Sequence, residues 1–250
     1  VNFKLLGPLR VENGHTEARV PKAPKVRQLL ALLLFCANTM VSTDQIVDEL
    51  WGEESPRQAA LTVRTYVCHI RKAMGELDGG HKLNTVSSGY MLSIGDDQLD
   101  VTRFTSLYHN GRAYYEAGEH EKASDNFRRA LEIFRGPVLA DVETGAILQP
   151  FKARLEEERS AAQALRIQTD LALGRYLQLI GELRSLTISQ PLNEWAHARL
   201  MEALTHSGRR SDALNVYRKL RRTLDQELGI APAPELQRLL QRILAIGQPA

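Results

Sequence analysis

The stretch from Ser55 to Met74 (SPRQAALTVRTYVCHIRKAM) constrains the fold of this chain more than any other. Val63, Val67, Ile70 and Met74 recur at i, i+4, i+7 and i+11, so an α-helix gathers them into one apolar stripe that has to be buried. Ser55 can cap such a helix and Pro56 suits its first position, which predicts a start at Ser55. The stretch contains no carboxylate but carries Arg57, Arg64, Arg71 and Lys72. At about 100° per residue, the arginines at spacing seven form a row roughly 90° round from the stripe. Gln58, Thr65, His69 and Lys72 fall opposite it, with donors and acceptors of the kind that meet base edges. A helix buried on one side, basic on its flank and polar opposite is suited to lie against a polyanion. A solvated basic face on an ordinary helix has the same pattern, so the flanking sequence has to decide.

Upstream, Phe3–Leu6, Leu9–Val11 and Glu17–Val20 read as short strands, with Asn13-Gly14 as a hairpin turn. The leucine-dense run Lys25–Ala37 predicts a helix buried on most sides. Ser42 or Thr43 caps a second helix over Asp44–Trp51, and Gly52-Glu53-Glu54 makes an acidic loop before the basic helix. After Gly79-Gly80, Lys82–Val86 and Tyr90–Ile94 read as a hairpin whose tip, Ser87-Ser88-Gly89, offers a glycine for a positive φ. Strands, helix, helix, basic helix and hairpin, in that order, describe a winged helix-turn-helix. Its third helix can enter a major groove while the hairpin reaches the neighbouring backbone or minor groove. The start of the second helix at Thr43-Asp44 can aim backbone N–H groups at a phosphate.

Gly95-Asp96-Asp97 marks a boundary, giving a winged-helix domain over 1–95 and an all-α domain over 96–250; the fold class is mainly α with small β-sheets. Within the second domain a turn recurs at Ala117-Gly118, Leu173-Gly174 and Ser207-Gly208. The last two glycines lie 34 residues apart, the tetratricopeptide period, and the first two 56 apart, which leaves an insertion of 22 residues. Leu107, Gly111 and Tyr114 on one helix face Ala123, Phe127 and Ala130 on the next, a small-against-bulky pattern that lets antiparallel helices interlock. The insertion, with Gly136-Pro137, Gly145 and Pro150, reads as a loop or short helices.

The formal net charge is +2, so any affinity for nucleic acid has to come from local clustering. Cys36 and Cys68 form no CxxC, which fits a reducing compartment. No run of about 18 apolar residues is present, so no membrane span is expected. The histidines are scattered, and neither a phosphate-binding glycine loop nor a G-x-S-x-G motif occurs. No metal, cofactor or enzymatic activity is expected. Glu156-Glu157-Glu158 and the basic cluster from Arg209 to Arg222 read as solvated helix faces.

Asp48-Glu-Leu-Trp-Gly52, Val63 with the Val67-x-x-Ile70-Arg71-Lys72 run, and Thr85-Val-x-x-Gly-Tyr90 resemble the OmpR-type winged helix. Two opening segments, Phe3-x-Leu-Leu-Gly-Pro-Leu9 and Pro24-Lys25-Val26-Arg27-x-Leu-Leu-Ala31, narrow the resemblance. With the closing Leu224-Asp-Gln-Glu-Leu-Gly-Ile-Ala-Pro-Ala-Pro-Glu-Leu236 they are similar to the Streptomyces antibiotic regulatory protein (SARP) family, whose second part is the bacterial transcriptional activator domain. The wing carries Ser87-Ser88 where response-regulator relatives carry an arginine, and Cys68-His69 replaces an arginine pair.

The resemblance implies a cytoplasmic, nucleoid-associated transcription activator. Its partners would be double-stranded DNA with direct repeats, bound as a head-to-tail dimer near promoters of an antibiotic cluster, and RNA polymerase holoenzyme, recruited through its sigma factor. The expected DNA-binding set is Lys25, Arg27, Thr43, Arg57, Gln58, Arg64, Thr65, His69, Arg71, Lys72, Ser87 and Ser88. The arginines would hold phosphates, and Thr65, His69 and Lys72 would meet bases. Glu53 and Glu54 are the expected contacts to sigma. A ligand-responsive regulator or repressor would use the same DNA-binding domain, and a pure interaction scaffold would not use it on DNA at all.

Overall fold

Strands β1 (Asn2–Lys4), β2 (Arg10–Asn13) and β3 (Thr16–Glu17) open the chain as an antiparallel sheet in that order. The computed structural model describes residues 1–14, 16–17, 21–75 and 82–245; the strand end expected at 18–20 and the Gly79-Gly80 turn lie outside the described residues. Helix α1 (Pro24–Phe35) starts on a proline, whose missing N–H is no loss there, and its leucines from Leu29 to Leu34 are all buried. Strand β4 (Val41–Ser42) then leads into α2 (Thr43–Trp51). Of the two possible caps it is Ser42 that serves. Its Oγ accepts from Gln45 N at 3.2 Å, while the Gln45 side chain accepts from Ser42 N at 3.0 Å.

Helix α3 spans Ala59–Gly75, so the start predicted at Ser55 is corrected by four residues. Gly52–Glu54 wind into a 3-10 turn and Ser55 leaves it extended, at φ −66° and ψ 130°. A single turn over Pro56–Gln58 then supplies the carbonyls that Ala59, Leu61 and Thr62 donate to. Arg57 and Gln58 therefore sit on a lead-in turn, and the helical row of three arginines shortens to Arg64 and Arg71. The buried stripe is as spaced: Val63, Val67, Ile70 and Met74, joined by Ala59.

Strands β5 (Lys82–Val86) and β6 (Gly89–Ser93) form the wing, with β4 paired to β6 in the order β4-β6-β5. The positive φ at the wing tip falls on Ser87 (48°) and not on Gly89. Gly89 is required for space: a Cβ there would stand 2.1 Å from the Val41 carbonyl oxygen of the paired β4.

A second 3-10 turn (Asp96–Gln98) precedes α4 (Asp100–Glu116), α5 (His120–Leu131), α6 (Leu148–Ala172), α7 (Tyr176–Ser189), α8 (Glu194–His206), α9 (Arg210–Leu228) and α10 (Pro234–Ala245). The three repeated turns are one motif. Gly118, Gly174 and Gly208 have φ of 75°, 74° and 75°. The residue after each donates back across the turn, Glu119 to Tyr114, Arg175 to Asp170 and Arg209 to Leu204, at 2.8–2.9 Å. This left-handed glycine stop satisfies the last carbonyls of one helix and reverses the chain for the next. Inside the first hairpin a Cβ on Gly111 would meet the Phe127 ring at 2.7 Å, which is the close approach its sequence pattern predicts.

The chain packs as two units, Val1–Leu165 and Arg166–Ala250. In the first, one apolar core runs from Phe3 through the winged helix to α4, α5 and the start of α6. Carboxylates clamp its parts together by accepting from backbone N–H groups. Asp100 accepts from Leu5 N at 2.9 Å and Leu6 N at 3.0 Å, and Asp141 accepts from Leu9 N at 2.8 Å. Glu49, buried at the end of α2, accepts from Gly145 N at 2.6 Å, Ile147 N at 2.7 Å and Leu148 N at 3.1 Å. The insertion between α5 and α6 is a loop that runs along the first strand segment, with Arg135 N donating to Leu6 O at 2.8 Å and Leu139 N to Leu5 O at 3.0 Å. The acidic run on α6 is more than a solvated face, because Glu156 accepts from Val138 N of this loop at 2.6 Å. The second unit has its own core, built on Leu183, Leu200, Leu204, Tyr217, Leu220 and their neighbours.

Candidate nucleic-acid interface

Burying one stripe of α3 leaves its opposite face in water. Leu61, Arg64, Thr65, Cys68, His69 and Lys72 are all exposed, at successive helical spacings of three and four. Leu61 and Cys68 complete this face and are absent from the set predicted above. The signal that finds them is their position in the same row as Gln58, Thr65 and Lys72; their chemistry conceals it. Trp51 stacks on Tyr66, ring centroids 6.2 Å apart, and fixes the end of α2 against α3.

Two residues of the predicted set turn out to position the wing. The Arg71 guanidinium donates to Leu83 O from Nε at 3.0 Å and to Thr85 Oγ1 from Nη2 at 2.9 Å. Its charge is thus held against β5, away from the row it was assigned to. Thr43 donates to Ser88 O from both its backbone N (3.0 Å) and its hydroxyl (2.8 Å). The wing tip, with Ser87 and Ser88 exposed, is hooked to the start of α2, and β5 is held to the C-terminal part of α3.

Lys25 and Arg27 are also removed from the free cations. Lys25 Nζ lies 3.0 Å from Glu143 Oε2. Arg27 Nη2 lies 2.5 Å from Asp141 Oδ2 and 3.1 Å from Leu9 O, and its side chain is 16% exposed. Both neutralise the loop between α5 and α6. Arg57, Gln58, Arg64, His69 and Lys72 have exposed side chains with no hydrogen bond or ion pair to any described residue. Thr65 donates its hydroxyl to Leu61 O at 3.3 Å, within its own helix. Glu53 and Glu54 stand exposed and unpaired among the described residues, on the 3-10 turn that follows α2.

The first unit therefore presents one continuous face of unspent cations and polar groups on α3 and its lead-in turn, bordered by the wing tip. No group of His, Cys, Asp and Glu among the described residues could hold a metal, and no described helix is long and apolar enough to cross a membrane. Cys36 and Cys68 are free thiols; burial, with Glu49 nearby, pushes the Cys36 thiol above its ordinary range, while Cys68 is exposed on the α3 face.

Known proteins share this arrangement along the chain. Residues 17–92 match the family "Transcriptional regulatory protein, C terminal", and residues 99–244 match the "Bacterial transcriptional activator domain". The regulatory protein DnrI of Streptomyces peucetius is 39% identical over 98% of this chain and 92% of its own length. The regulatory protein AfsR of Streptomyces coelicolor is also 39% identical, but the chain spans only 24% of it. A solved structure of Mycobacterium tuberculosis EmbR in complex with a low-affinity phosphopeptide superposes with a TM-score of 0.86 at 36% identity, over all of this chain and 66% of that one. With both domain families present in this order and DnrI matched over nearly its whole length, the chain belongs to the Streptomyces antibiotic regulatory protein family of transcription activators, in which a DNA-binding winged helix precedes a bacterial transcriptional activator domain.

Proposed function

We propose that this chain is a cytoplasmic, pathway-specific activator of a secondary-metabolite (antibiotic) biosynthesis cluster. In this reading it binds direct repeats beside a promoter as a head-to-tail pair and recruits RNA polymerase holoenzyme through sigma. The observation that carries the reading is the exposed α3 face, whose cations have no carboxylate partner among the described residues. Arg57 and Arg64 hold phosphates and set the register of the helix in the major groove. Thr65, His69 and Lys72 reach base edges, and Ser87 and Ser88 bring the wing tip to the backbone. Glu53 and Glu54 supply the acidic contact to a basic surface of sigma.

Binding measured on the cognate promoter DNA and on random duplex, followed by transcription in vitro, tests each part. Thr65→Ala or His69→Ala should cost ~1–3 kcal/mol of discrimination per lost contact. Arg64→Ala should weaken both duplexes alike. Equal losses on both duplexes for Thr65 and His69 would remove them from base readout. Bound DNA should also slow maleimide labelling of Cys68, the exposed thiol of this face. Charge reversal at Glu53 and Glu54 that leaves both DNA binding and transcription intact would rule out the sigma contact.

A further inference from the structure

Leu61 is 57% exposed, and among the described residues of the first unit only Met40, at 40%, is another large apolar side chain so open to water. Its neighbours one turn away on either side are the polar Arg57, Gln58, Arg64 and Thr65, so among the described residues no large apolar side chain flanks it. A protein partner that covered Leu61 would also have to desolvate two unpaired arginines. A duplex satisfies all of them together, because phosphates flank the major groove and the thymine C5-methyl lies inside it. We infer that Leu61 is a specificity residue that packs on a thymine methyl in the major groove; this rests on the reading of α3 as the groove-entering helix. Thr65 agrees with that choice of base pair. Its hydroxyl proton is directed at Leu61 O at 3.3 Å, so toward DNA it presents lone pairs, which suit an amino donor such as adenine N6. Leu61 and Thr65 together therefore select an A·T pair under the first turns of α3.

Replacing thymine by deoxyuridine deletes the methyl and leaves pairing and charge unchanged, so it isolates the contact. The full chain is used to select a duplex from a random pool, and each thymine of that duplex is then replaced singly by deoxyuridine. Burying one methyl group corresponds to about a fourfold change in affinity. The wild type should lose about that factor at one or two thymines and nothing elsewhere. Leu61→Ala should bind the parent duplex more weakly by at least as much, be insensitive to deoxyuridine at those same positions, and melt at the wild-type temperature. Specific binding with no deoxyuridine-sensitive position, a bound site without thymine, or sensitivity that persists in Leu61→Ala would overturn the assignment to Leu61 alone. A selection that enriches no duplex would instead overturn the reading of α3 as a groove-entering helix, and the role of Leu61 with it.

Discussion

Glu49→Gln is the substitution that most directly tests how the first unit is held together. Glu49 is 2% exposed, and its carboxylate accepts three backbone N–H groups at 2.6–3.1 Å and the Gln28 amide at 3.2 Å. The three N–H groups belong to Gly145, Ile147 and Leu148, at the start of α6, so Glu49 caps that helix from α2 and faces its positive end. Glutamine keeps the volume but offers one acceptor oxygen and one NH2. If the NH2 takes the place of Oε2, the Ile147 and Leu148 donors lose their acceptor; if it takes that of Oε1, the Gly145 donor does. One or two buried or part-buried donors left unpaired at ~1–3 kcal/mol each, plus the loss of charge assistance on the remaining bonds, amount to about 2–5 kcal/mol. For a unit of this size that is a fall in melting temperature of roughly 5–15 °C. Gly145 leaves no slack for adjustment, since a Cβ there would already stand 2.1 Å from Glu49 O. Thermal unfolding followed by circular dichroism reads the shift. Asp48→Asn, the exposed neighbour on α2, is the control and should stay within about 0.5 kcal/mol of wild type. A Glu49→Gln protein melting within about 1 °C of wild type would refute the capping argument.

Arg71→Ala should destabilise the first unit by about 1–2 kcal/mol, because β5 loses two hydrogen bonds, and chemical denaturation measures it. Burial pushes the Asp100 carboxyl above its ordinary 3.8, outweighing the lowering by the Leu5, Leu6 and Val101 N–H groups and Arg135. The folded state then binds the proton more tightly than the unfolded one, so this contribution to stability falls as pH rises from 3.8 through the folded value and is level above it. Asp100→Asn should remove that slope from a stability profile taken between about pH 3 and 6. His197 has the opposite sign. Burial lowers it below its ordinary 6.5, Lys219 adds to the lowering, and the Asn193 carbonyl and Glu194 oppose it. Its contribution to the second unit is complete above 6.5 and is lost as pH falls through the folded value, a slope that His197→Gln should flatten in the unfolding of that unit.

Much of the fold was legible because it is written in short-range patterns. The stripe Val63, Val67, Ile70 and Met74 is buried as spaced, and the three glycines of the recurring turn share one left-handed φ. Errors arose where two local signals competed. Ser55-Pro56 is a sound helix start, but the glycine and two glutamates before it wind into a 3-10 turn that the chain has to leave extended first. At the wing the glycine signals a positive φ, yet its role is to let β4 approach, and Ser87 takes the left-handed position. The carboxylate clamps at Glu49, Asp100 and Asp141 have no local signature at all, because each acts on backbone some hundred residues distant along the chain.

The same distinction separates, within the predicted interface, the residues that stand exposed from those that are already paired. Which side of α3 faces water is a periodic property, and the sequence carries it. Which cations remain available on that side is a property of partners. Lys25 meets Glu143, Arg27 meets Asp141 and Arg71 meets β5, and no spacing within a single helix encodes those encounters. This difference can be measured. If all six basic residues of the predicted set neutralised phosphates, the logarithm of affinity would fall against the logarithm of salt with a slope of about −5 per protomer. With only Arg57 and Arg64 left to hold phosphates, the slope is about −2, and a fourfold rise in salt weakens one protomer about 12-fold. On a duplex with a single half-site, Arg64→Ala should reduce the slope by about one and Arg71→Ala should leave it unchanged. An equal reduction by Arg71→Ala would mean that the guanidinium bonded to Leu83 and Thr85 lets go of the wing when DNA arrives, and a wild-type slope near about −5 would mean that Lys25 and Arg27 leave Glu143 and Asp141 as well.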